Sequence, residues 1–198
     1  MEDVLLFGGT FNPPHVGHFS IAKEVGCKLN IKKIVLLPSG NPPHKIGIDV
    51  LDGRHRLNML KLAIEGQHEF VISEIEINRK GYTYTIDTLR KLNSLYGGKY
   101  NFFYLIGADW LENLRKWKNY KELFSVCKFV VALRKGYTRE SLERVILKNG
   151  YNAEIVDINC VDVSSTCIRD LIKNNKDVSG LISPKVEEYI RDNNLYRK

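Results

Sequence analysis

Gly8-Gly9-Thr10-Phe11-Asn12-Pro13-Pro14-His15-Val16-Gly17-His18 follows an apolar run over residues 4–7 and leads into a helical pattern over residues 18–28. A strand that ends in two glycines and passes straight into a helix marks the opening of an α/β sheet. In an open parallel sheet the ligand crevice lies beyond the carboxyl ends of the strands. Two glycines there let a phosphate or a base approach the backbone, and the free amides of the following helix attract anions. The spacing is neither G-x-G-x-x-G nor G-x-x-x-x-G-K-[ST], so it supports neither a dinucleotide fingerprint nor a P-loop.

Beyond this turn, further short apolar runs occupy residues 34–37, 70–77, 102–106, 129–133 and 154–158. Most are continuous rather than alternating, as strands covered on both faces should be. Helical patterns over residues 54–64, 85–96, 120–127 and 141–148 separate them. The β-α-β-α order predicts an α/β fold with a doubly wound parallel sheet. Two further helices are expected over residues 166–174 and 184–193, so the portion from about residue 164 reads as helical. Ser183-Pro184 starts the last of them, serine as cap and proline at the first helical position. With no repeat, low-complexity tract or long linker, residues 1–198 are expected to form one domain.

Composition sets only broad limits. Hydrophobic residues make up 43% and charged residues 27% of the 198, as in ordinary globular chains. No apolar run has the length to span a bilayer. The start, Met1-Glu2-Asp3, does not read as a signal peptide, which leaves a cytoplasmic address as the expectation. Cys27, Cys127, Cys160 and Cys167 form no C-x-x-C pair, so neither a zinc knuckle nor a thioredoxin-type site is suggested. The net charge of +7 attracts polyanions without choosing among them.

Three clusters carry candidate chemistry. His15 and His18 lie three residues apart at a helix start, where they can donate to a phosphate, pair on a metal, or simply pack. A zinc site would need a third ligand that no nearby pattern supplies. In Pro38-Ser39-Gly40-Asn41-Pro42-Pro43-His44-Lys45, paired prolines stiffen a loop bearing two donors suited to a phosphate monoester, or form a solvated turn. Ser164-Ser165-Thr166-Cys167-Ile168-Arg169-Asp170 is a polyphosphate clamp or a plain helix cap with an exposed arginine.

In combination these blocks are more specific. H-x-G-H near the N-terminus with S-S-T-x-I-R near the C-terminus resembles the H-x-G-H nucleotidyltransferase superfamily. Asn41–Lys45, then Gly81-Tyr82-Thr83-Tyr84-Thr85-Ile86-Asp87-Thr88-Leu89, then Ile106-Gly107-Ala108-Asp109 with Trp117 are similar to the nicotinate mononucleotide adenylyltransferase family. So is the ending Val186-Glu187-Glu188-Tyr189-Ile190 with Leu195-Tyr196. The resemblance covers essentially the whole chain.

That resemblance implies a Rossmann-like nucleotidyltransferase fold and adenylyl transfer from ATP to nicotinate mononucleotide, in NAD biosynthesis. Gly8, Gly9, Thr10, Phe11, His15 and His18 would bind the ATP phosphates, and Gly107 and Asp109 would lie near a nucleotide ribose. Ser165, Thr166 and Arg169 would face the triphosphate or adenine, with His15, His18 and Arg169 taking the catalytic part. His44 and Lys45 would meet the mononucleotide phosphate. Trp117 would stack on the pyridine ring, and main-chain amides around Thr85 and Lys118 would receive its carboxylate. Two positions depart from the usual pattern: Asn12 stands in place of a frequent aspartate, and Ser39 in place of a frequent asparagine.

Magnesium would travel mainly on the ATP phosphates, without a dedicated protein metal cage. The expected partners are the two small substrates, with neither nucleic acid nor membrane, and the oligomeric state is left open. Two rivals stand beside this reading. One is a sister adenylyltransferase acting on phosphopantetheine or nicotinamide mononucleotide. The other is a basic nucleic-acid-binding domain, which would leave the two phosphate motifs without a purpose.

Overall fold

The computed structural model describes residues 1–41, 50–159 and 163–197. Six strands form one all-parallel sheet: β1 (Glu2–Gly9), β2 (Lys33–Pro38), β3 (Phe70–Ile72), β4 (Tyr100–Gly107), β5 (Lys128–Leu133) and β6 (Ala153–Asp157). Their order is β3-β2-β1-β4-β5-β6. The chain therefore winds outward in one direction from β1 and then in the other from β4, the doubly wound arrangement anticipated from the sequence.

Alternation along each central strand divides the core. Val4 and Leu6, Phe102, Tyr104 and Ile106, and Phe129 and Val131 face one side. There they meet Ile86 and Leu89 of α3 (Thr85–Tyr96), Leu123 of α5 (Tyr120–Val126) and Leu142 of α6 (Arg139–Asn149). Leu5, Leu105, Val130 and Ala132 face the other side, against Ile21, Ala22 and Val25 of α1 (Val16–Lys28). Both faces of β1, β4 and β5 are covered, which is why these strands read as continuous apolar runs.

A third apolar cluster joins α2 (Gly53–Ala63) to α7 (Ser165–Lys173) and α8 (Pro184–Asp192) through Met59, Ala63, Ile168, Val186 and Ile190. Ser183 caps α8 by accepting from Val186 N at 3.3 Å, with Pro184 at the helix start. Ser164 caps α7 in the same way, from Cys167 N at 3.2 Å. Among the described residues no helix is long and apolar enough to cross a membrane.

The third strand is shorter than the sequence pattern predicts. It stops at Ile72, and residues 74–79 turn back on themselves through Asn78 N to Glu74 O at 3.0 Å and Arg79 N to Glu76 O at 3.1 Å. Ile75 and Ile77 alternate with Glu74 and Glu76 as strand residues would, but after Ser73 N donates to Leu36 O at 3.0 Å the chain leaves β2 for this turn. Two short elements also lie between β4 and α5: α4 (Ala108–Leu111) and a 3-10 turn, Leu114–Lys116. Helix α1 begins at Val16, leaving His15 as its cap rather than a residue on its face.

Candidate active site

The sheet order reverses between β1 and β4, and the carboxyl ends of these strands, Gly8-Gly9 and Gly107, border a cavity of about 750 Å³. The glycines are needed because side chains from neighbouring elements already occupy the space above them. A Cβ on Gly8 would strike the Tyr104 hydroxyl, and one on Gly9 would lie 2.9 Å from the Phe11 ring.

At the start of α1 the His15 backbone N–H donates to Nδ1 of His18 at 3.2 Å, and the two imidazole centroids are 3.7 Å apart. An Nδ1 that accepts carries no proton, so neutral His18 holds its proton on Nε2. Burial pushes the His15 pKa down to about 4, with the Arg134 charge acting in the same direction. His18 is held well below the ordinary histidine range by burial, then by His15, then by Arg134. Both rings are therefore neutral near pH 7. His18 lines the cavity, whereas His15, only 4% exposed, lies behind it.

The turn between β1 and α1 is held by parts of the chain far away in sequence. Arg56, 1% exposed, donates to Thr10 O at 2.8 Å, Leu51 O at 2.9 Å and Gly40 O at 3.1 Å. Arg169 donates to Asn12 O at 2.9 Å and to Thr166 Oγ1 at 3.2 Å, and Ser165 Oγ to Pro13 O at 3.0 Å. The Tyr196 hydroxyl reaches Asn12 Oδ1 at 2.8 Å. Five guanidinium N–H groups leave Arg169 with donors to spare for a ligand.

Trp117, Thr85 and Lys118 line the same cavity. Trp117 meets Tyr104, Trp110 and Phe129 edge-on, at 6.3, 5.9 and 6.4 Å between centroids. This packing fixes the plane of the indole. Lys118 Nζ bonds Asp87 Oδ2 at 2.9 Å and sits 4.5 Å from the centre of the Tyr84 ring. Thr85 is the first residue of α3, where amides lack intrahelical acceptors and the helix dipole favours an anion.

The cavity thus gathers Gly8, Gly9, Thr10, Phe11, His18, Thr85, Gly107, Asp109, Trp117, Lys118, Ser165, Thr166 and Arg169. His15 stands behind them, and His44 and Lys45 lie outside the described residues. Arg56, Arg134, Glu76, Thr83 and Tyr104 were not foreseen as site residues. Arg134 follows β5, with its Nε 3.8 Å from the point where a Gly107 Cβ would lie. In sequence it is one arginine among many. A doubly wound fold nevertheless directs attention to the residue after each central strand, and that signal could have found it.

The profile of the family described as Cytidylyltransferase-like matches residues 6–171. A Bacillus licheniformis protein named "Probable nicotinate-nucleotide adenylyltransferase" is 39% identical, with 99% of each chain covered. A Clostridium novyi protein of the same name is 37% identical over 97% of this chain and 98% of its own. Among solved structures, Plasmodium falciparum nicotinic acid mononucleotide adenylyltransferase complexed with NaAD superposes with a TM-score of 0.83. That match has 20% identity and covers 99% of this chain and 98% of the other.

Proposed function

The chain belongs to the nicotinate-nucleotide adenylyltransferases within the cytidylyltransferase-like family, and from that premise we propose that it joins the adenylyl group of ATP to nicotinate mononucleotide, releasing pyrophosphate. One observation carries the reading. The cavity at the switch point is lined by His18, Arg134 and Arg169 and also by Thr85, Trp117 and Lys118, which supports a site for two unlike ligand parts. The first set suits a polyphosphate, the second a flat ring bearing a carboxylate.

The acceptor phosphate is already an anion near neutral pH and needs no general base to attack the α-phosphorus. The work left to the protein is alignment and stabilisation of charge. His18, fixed by the His15 amide, presents Nε2–H to a phosphate oxygen whose charge grows as pyrophosphate departs. The Arg134 and Arg169 guanidiniums add fixed positive charge, and Arg169 also braces the turn through Asn12 O. The amides at the start of α3 receive the pyridine carboxylate while Trp117 lies against the ring.

Magnesium entering on the ATP phosphates needs only one or two protein oxygens. Asp109, an exposed carboxylate on the cavity wall, would supply one, and the ion would neutralise phosphate charge.

The test is pyrophosphate release with ATP and magnesium, comparing nicotinate mononucleotide, its amide and phosphopantetheine as acceptors. Strong preference for the acid is expected. Turnover with another acceptor in preference would overturn the pyridine pocket while leaving the ATP side in place.

A further inference from the structure

Three polar groups on the acceptor side take no part in the chemistry above. Thr83 Oγ1 and Ser39 Oγ are buried, their residues 6% and 9% exposed, and among the described residues neither has a hydrogen-bond partner. Glu76, 7% exposed, is the third, with Oε1 accepting from Thr88 Oγ1 at 2.8 Å. All three residues line the cavity.

The backbone brings them together. Ser39 N donates to Gly9 O at 2.9 Å and Thr83 N to Asn41 O at 3.0 Å. Gly40, between those two anchor points, has no room for a side chain. The Glu76 carbonyl blocks the position and Thr83 Cγ2 lies 3.0 Å from where a Cβ would be. Loop 39–41, the turn after β3 and the segment before α3 therefore meet at one spot on the wall.

Buried hydroxyls are normally paired, and leaving one unpaired is costly. Two of them on a ligand cavity point to a partner that arrives with the ligand. A phosphate or the pyridine carboxylate would set an anion beside the Glu76 carboxyl, in surroundings that screen charge poorly. Burial raises the Glu76 pKa, opposed by the Thr88 bond and the Arg79 charge. A neutral diol suits either protonation state, because each of its hydroxyls both donates and accepts.

We infer that Ser39, Thr83 and Glu76 form a subsite for the vicinal hydroxyls of the acceptor's ribose, and that Thr83 and Glu76 select a ribonucleotide over a deoxyribonucleotide acceptor. This rests on the adenylyl-transfer reading, so the experiment starts with the wild-type enzyme, ATP, magnesium and nicotinate mononucleotide. Its 2′-deoxy and 3′-deoxy analogues follow under the same conditions.

Each deoxy acceptor is expected to lose about tenfold or more in kcat/KM, as sites built around a substrate hydroxyl do. Thr83→Val should bring the ribonucleotide down to the level of one deoxy acceptor while leaving that analogue within about twofold. Thr83→Ser, which keeps the hydroxyl, should restore the wild-type pattern, and KM for ATP should not change. If Thr83→Val fails to fold, Glu76→Gln, which can still accept from Thr88, gives the same comparison. Equal losses on all three acceptors in the variants, or no deoxy penalty in the wild type, would overturn the subsite alone. No turnover of nicotinate mononucleotide by the wild type would overturn the acceptor assignment and the subsite with it.

Discussion

The His15 backbone amide, not another side chain, determines which nitrogen of His18 carries the proton. The 3.2 Å bond to Nδ1 leaves Nε2–H as the donor, and the tilted His15 ring, its centroid 3.7 Å away, hinders rotation of the imidazole. His18→Ala is expected to lower kcat by roughly 100-fold or more, the usual cost of losing one donor to a developing oxyanion. Its thermal midpoint should stay near that of the wild type. Steady-state kinetics beside a melting curve checks this, and near-normal turnover by a folded variant would remove His18 from the mechanism.

Stability should fall on acidification because His15 is buried neutral. Its folded pKa of about 4 lies below the ordinary 6.5, so the unfolded chain binds the extra proton between those values. By linkage, the contribution is complete above pH 6.5 and is lost as pH falls from 6.5 through 4. A depression of this size corresponds to roughly 3 kcal/mol at most. Urea midpoints from pH 7 to 4 should decline, and His15→Gln should flatten part of that slope. An unchanged slope would mean that His15 does not set it.

Arg56 holds three main-chain carbonyls from inside the protein. Arg56→Met would leave all three without that donor, at about 1 kcal/mol or more each. A loss of about 3 kcal/mol by urea denaturation is expected, accompanied by a lower kcat, because one of the three carbonyls belongs to Thr10 in the β1–α1 turn. A variant of wild-type stability would show that the turn holds itself.

Trp117→Leu separates the two substrates. Loss of about 1 kcal/mol of ring stacking should raise KM for nicotinate mononucleotide about fivefold while leaving KM for ATP unchanged. Parallel rises in both constants would place the indole in the general packing of the cavity instead.

The sheet and the glycine turn were legible because their physical causes lie in local sequence. Strands covered on both faces must be apolar throughout, and a glycine pair marks a close approach. Arg56 was not legible: it sits in a helix among Leu57, Met59 and Leu60, and nothing nearby shows that its partners are Leu51, Gly40 and Thr10. Glu76 was hidden by a false period. Its alternation with Ile75 and Ile77 read as a strand extending to residue 77, whereas the chain turns after Ile72 and points that carboxyl inward. Arg134 was legible only through the fold class, as the residue after a strand that pairs with β4.

The bonds from Ser165, Arg169 and Tyr196 to Asn12 and Pro13 also bear on the order of events during synthesis. The β1–α1 turn is translated before the groups that brace it, which lie 152 to 184 residues further along. A nascent chain can therefore assemble much of the sheet before the turn gains these contacts. Translation thus carries a built-in delay between making the turn and bracing it.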